Sequence, residues 1–140
     1  MKFRLYWHIR NLNQEREDCR YIIHRTSQVV FFAQRAAARR HFNTGLAQAV
    51  IHQMRAVELY HAGLYWSAIY HSLRARKLAV NVINGNRESW FWELFAGDTR
   101  EERYLSHGPG DADLDLLIDL NTFGNDETVI NGEFELDIKE

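Results

Sequence analysis

Hydrophobic positions recur with a helical period through the middle of the chain. Leu46, Val50, Met54, Val57 and His61 fall on one stripe, widened by Ala47 and Ile51. After Ala62-Gly63-Leu64 a second stripe runs through Ala68, Ser72, Ala75, Ala79 and Val82, flanked by Ile69, Leu73, Val80 and Ile83. Gly63 can take the left-handed conformation that closes a helix, and Gly85 is a natural stop for the next. Residues 45–84 therefore predict two antiparallel helices that meet through a seam of small residues. Upstream, Ile22, Thr26, Val29, Ala33 and Ala36, with Ile23, Val30 and Ala37 beside them, predict a long helix from about Gln14 to Phe42. Phe31 and Phe32 spread its apolar surface, so it should be contacted on more than one side. Asn43-Thr44-Gly45 forms the turn that follows, with Asn43 or Thr44 available as a cap.

At both ends the period shortens to two. Phe3, Leu5, Trp7 and Ile9 alternate with Arg4, Tyr6, His8 and Arg10, which predicts a strand ending at Asn11-Leu12-Asn13. Near the other end, Phe134, Leu136 and Ile138 alternate with Glu133, Glu135 and Asp137, behind an Asn131-Gly132 pair suited to a type I′ turn. This predicts a hairpin over 128–138 and a small sheet shared by the two termini. Between hairpin and tail, Ser89 to Phe95 reads as a short aromatic helix, and Asp98 or Thr99 starts another through Leu105. The expected fold is mainly α: a three-helix antiparallel bundle with one or two short extra helices and a small terminal β-sheet or hairpin. It forms a single domain over 1–140, with a strand in 1–12, a helical bundle in 14–106 and an acidic tail carrying the hairpin in 107–140.

One hundred and forty residues, 46% apolar, suit one domain with an ample core. The net charge of −2 gives no global pull toward nucleic acid or membrane. It hides an asymmetry: residues 111–140 hold ten Asp and Glu against one Lys, whereas residues 1–60 hold ten Lys and Arg against four Asp and Glu. Arg16, Arg20, Arg25, Arg35, Arg39 and Arg40 read as the solvated face of the long helix. A nucleic-acid surface would also need stacking aromatics interleaved with them. The single Cys19 excludes an internal disulfide, and no stretch reaches transmembrane length. Arg4, His8 and Arg10 interrupt any signal-peptide core. A cytoplasmic location is the default expectation, and a mature exported chain is the alternative.

Gly63-x-Tyr65-x-x-Ala68-Ile69, continued by Ala75 and Leu78, resembles the turn and second helix of a tetratricopeptide repeat. The likeness spans about forty residues and one repeat, whereas such arrays stack roughly three or more. The Tyr65-x-x-Ala68-x-x-His71 helix also resembles HEPN-type bundles. That likeness implies an RNA-processing enzyme or an inactive relative, with an Arg and a His six or so residues apart at a dimer groove. Arg100 and His107 are the pair such a likeness would nominate, with Arg35 and His41 or Arg55 and His61 as substitutes.

Motifs for other chemistry are incomplete. Glu58-Leu59-Tyr60-His61 is one Glu-x-x-His where a di-iron bundle uses two plus further Glu residues. It leaves Glu58 and His61 as the metal candidates and no cofactor expected. His24, His41, His52, His61 and His71 lie on different turns, so only three-dimensional convergence could make them a metal site. Asp111-x-Asp113-x-Asp115 opens like a calcium loop, but Leu116 and Thr122 stand where the loop needs Gly and a bidentate Glu. There is no nucleophile elbow or glycine-rich phosphate loop. The reading that remains is a non-enzymatic interaction or structural protein. Its partner would be a protein or a second copy, met through Tyr65, Trp66, Trp90, Trp92 and Phe95.

Overall fold

The long N-terminal helix begins well upstream of its predicted start. In the computed structural model, which describes residues 2–87 and 97–139 and side chains from residue 12 onward, α1 runs unbroken over Lys2–Arg40. The expected strand at 3–9 is part of this helix. Its alternation had no neighbouring strand to pair with, and Asn11-Leu12-Asn13 lacks the Gly or Pro that would break a helix. α1 ends at His41, which takes a left-handed φ of 76°.

Leu46–His61 forms α2 and Tyr65–Gly85 forms α3. The turn between them closes as a Schellman motif. The Leu64 N–H donates to the Leu59 carbonyl (2.9 Å) and the Gly63 N–H to Tyr60 (3.0 Å), with Gly63 at φ 78°. Ala68, Ser72, Ala75 and Ala79 are all fully buried, as the small-residue seam predicts. α3 packs closely on both α1 and α2, which touch each other less. At its end, Asn86 clasps the α1–α2 turn: its amide donates to the Phe42 carbonyl (2.7 Å) and accepts from the Phe42 N–H (3.0 Å).

After α3, two short helices lie against the bundle, α4 at Glu102–Leu105 and α5 at Asp111–Asp115. Asp98 and Glu101 form a capping box before α4. Asp98 accepts from the Glu101 N–H (3.2 Å), and Glu101 accepts from the Asp98 N–H (3.1 Å). A 3₁₀ turn follows at Asp126–Val129. The aromatic helix expected at 89–95 lies outside the described residues, and with it Trp90, Trp92 and Phe95.

No strand occurs among the described residues, so neither the hairpin nor the terminal sheet forms. Asn131 and Gly132 are not in the left-handed region a type I′ turn requires. Gly132 is instead needed for closeness, because a Cβ there would run into the Phe134 ring. Residues 130–139 follow as irregular backbone laid over α1 and α2, to which Gln34 and Gln53 tie them. Phe134 and Leu136 pack on a core built from Val29, Val30, Ala33, Val50 and Ala79, and Ile138 on one built from Ile22, Ile23, Val57 and Ile69.

Candidate functional site

The interior holds polar groups from every layer, and each is engaged. Gln53, wholly buried on α2, donates its amide to the Ile23 carbonyl on α1 (2.9 Å) and to the Leu136 carbonyl on the C-terminal segment (2.6 Å). Its oxygen accepts from Ser72 on α3 (2.9 Å). One side chain thus ties four parts of the fold. Gln34 repeats the pattern a few turns away, donating to the carbonyls of Val129 (2.8 Å) and Gly132 (3.0 Å). Two glutamines therefore hold the C-terminal segment by its backbone.

On the other side of α3, Arg76 makes a buried fork onto Glu101, at 2.9 and 2.6 Å. It also reaches Thr26 (3.0 Å) and the Ile22 carbonyl (3.2 Å) on α1. Arg25 joins Glu101 at 3.2 Å and pairs with Asp98, which the Tyr21 hydroxyl also meets. Burial raises the Asp98 carboxyl, but Tyr21 and Arg25 more than offset it and hold the group below its usual range. Nearby, Tyr104 donates to Asp18 (2.6 Å), and burial followed by that bond pushes its phenol up. Burial, then the Asp18 charge, pushes the Cys19 thiol up to about 12, which leaves it a poor nucleophile.

A third chain of contacts crosses from α3 through α2 to α5. His71 Nδ1 lies 2.9 Å from His52 Nδ1, His52 Nε2 lies 2.8 Å from Asp115, and Asp115 takes a two-point contact from Arg74 at 3.0 Å each. With both rings neutral, one arrangement satisfies every contact: His52 donates to Asp115, and His71 donates to His52. Burial lowers the His71 pKa to about 4, helped by its histidine neighbour, and burial also lowers His52 against the pull of Asp115. Asp111 completes the group through Arg74 (3.3 Å) and Lys77 (2.8 Å). Two of the three carboxylates that suggested a calcium loop, Asp111 and Asp115, are thus paired with cations, and no cluster of three metal-ligating side chains occurs among the described residues.

The residues singled out in the sequence are dispersed. Arg100 pairs with Asp18 (3.0 Å) and lies over the Tyr21 ring, whereas His107 is exposed and lines a separate cleft with Tyr70 and Lys77. Glu58 makes an exposed pair with Arg55 (3.0 Å), and His61 meets the Tyr60 ring edge to face. Tyr65 also sits against Tyr60, while Trp66, partly exposed, contacts Tyr70 and Tyr104 and carries Arg103 over its face. The arginine face of α1 is largely engaged, Arg16 with Tyr60, Arg20 with Glu17 and Arg25 as above.

Sequence reasoning overlooked Gln34, Gln53 and Arg76. Arg76 was legible, since it lies four residues after Ser72 and three before Ala79, on the buried face. Gln53 gave less warning, one position away from Met54 on the predicted stripe.

The two most exposed large apolar side chains among the described residues, Leu116 and Leu117, lie with Leu120 on the turn after α5. Leu116, Leu117 and Leu120 are 82%, 65% and 53% exposed. Leu117 and Ile118 overhang a cleft lined by Ile51, Met54 and Glu58 of α2. No described helix is long and apolar enough to cross a membrane. No protein-family model matches the chain, and no curated protein or solved structure shows detectable similarity to it.

Proposed function

We propose that the chain is a non-enzymatic helical module that works by binding a protein partner, a second copy of itself included. The observation that carries this reading is a contrast. Every fully buried side-chain nitrogen and oxygen among the described residues has a hydrogen-bond partner, while three neighbouring leucines stand in solvent. A catalytic centre commonly keeps a titratable group poised in a cleft, whereas here the perturbed His52, His71, Asp98, Tyr104 and Asp115 are engaged in ties between elements of the fold. Exposed leucines in sequence neighbours are a costly arrangement unless something covers them. Trp66 with Arg103 over its face offers a second anchor of the kind found in interface hot spots.

The HEPN-like alternative would need Arg100 and His107 to act together, and within one chain they line different clefts. The test compares the intact chain with a Leu117→Glu/Leu120→Glu variant, by affinity capture from the native source and by sedimentation. The expected result is association with the intact chain and its loss in the variant, with melting temperature unchanged. Equal association by both, or none by either, overturns the reading.

A further inference from the structure

The segment 123–139 is held as a ligand is held. Its backbone carbonyls are taken by Gln34 and Gln53, its alternate side chains Phe134, Leu136 and Ile138 enter the groove, and Asp126 docks on the start of α2. The Asp126 carboxylate accepts from the N–H groups of Gly45 (3.2 Å) and Ala47 (2.8 Å), where α2 has no cap of its own. These contacts are made to α1, to α2 and the turn before it, and to α3 through Ala79 and Ile69, and none depends on which molecule supplies the segment. The connector that joins it to α5, residues 116–122, carries the exposed leucines, and it is followed by Gly124 at φ 81° with open space around its Cα.

Charge favours the same placement. Asp126, Glu127, Glu133, Glu135 and Asp137 make the segment acidic, Asp137 meets His24 of α1 (2.6 Å), and Glu133 lines a cleft with Arg35. Two such segments repel each other but suit the basic bundle of another copy.

We propose that residues 123–139 exchange between two copies of this chain, each segment filling the α1–α2 groove of the other. The connectors then cross at the centre of the dimer and cover one another's Leu116, Leu117 and Leu120. Exchange of an identical element keeps every groove contact and adds the leucine contact, a low-cost route to a dimer. This rests on the reading of the leucines as an interface and names what covers them.

The experiment uses full-length chains. One carries a donor dye at Lys139→Cys, a second carries an acceptor at Arg35→Cys, and a third carries both. Cys19 is buried and escapes labelling. The singly labelled chains are mixed, and their mass is followed by sedimentation. Exchange predicts a dimer in which the donor quenching of the doubly labelled chain reappears between the singly labelled ones. A dimer without that quenching overturns exchange but leaves the leucine interface standing. A monomer at every concentration, with quenching only in the doubly labelled chain, overturns exchange. If that chain also captures no partner, the interface reading falls with it.

Discussion

Replacing Gln53 with Leu keeps most of the side-chain volume but removes three hydrogen bonds. The Ile23 carbonyl keeps its helical donor. The Leu136 carbonyl loses its donor and the buried Ser72 hydroxyl its acceptor, which predicts a loss of about 1–3 kcal/mol, read from the urea midpoint. Arg76 and Glu101 have a sharper signature. Glu101→Ala leaves a buried guanidinium without its fork and should cost about 3–5 kcal/mol, whereas Arg76→Met/Glu101→Leu should recover much of that, because an apolar pair often replaces a buried ion pair without loss. A double-mutant cycle checks both, and additive losses would show that the pair is not coupled. His71 and His52 set a pH dependence. Both bind protons less readily folded than unfolded, so stability is complete above about pH 6.5 and declines as the pH falls toward about 4. Melting temperature should drop through that window and flatten in His71→Asn. The lowered carboxyls of Asp98 and Asp115 act in the same direction, but only in more acidic solution.

Each helix of the hairpin was legible because its own sequence carries its period and its stop. The Ala68–Ala79 seam sits where the spacing put it, and Ala75→Leu should overpack it by about 1–3 kcal/mol, seen as a lowered thermal midpoint. The start of α2 was not legible. Asn43 and Thr44 stood ready in sequence, yet the cap comes from Asp126, some eighty residues later. A local rule cannot see a partner that only folding brings near. Asp126→Ala should cost about 0.5–2 kcal/mol, and hydrogen exchange at Ala47 should quicken selectively. The period-two signal in 133–138 picked out Phe134, Leu136 and Ile138 as the face that packs on the bundle, but the strand it predicted does not form. It failed on the neighbour, because Gln34 and Gln53 supply donors that a strand would otherwise have supplied. At 3–9 the same signal failed outright, since a helix already running downstream could extend through it at little cost.

For the molecule as a whole, charge is organised by packing. The acidic end of the chain is not a solvated appendage. Asp111 and Asp115 meet cations, Asp126 meets a helix N-terminus and Asp137 meets His24, all on the bundle. Little of the candidate surface could be read beforehand, because exposure of Leu116, Leu117 and Leu120 depends on where α5 docks. That docking depends on His52 and Arg74, two residues with no spacing to announce them. Leu136→Ala should lower stability by about 1–3 kcal/mol, less than a fully buried leucine would, and should shift residues 130–139 toward rapid hydrogen exchange before the rest of the bundle.

The position of the groove-filling segment has a consequence for synthesis. On the ribosome, α1, α2 and α3 are complete about fifty residues before Leu136 is added, an interval of about 3–10 s at ordinary elongation rates. During that time the nascent bundle presents an open apolar furrow and an uncapped α2. A nascent-chain chaperone, or the finished tail of a neighbour on the same polysome, meets its best opportunity then.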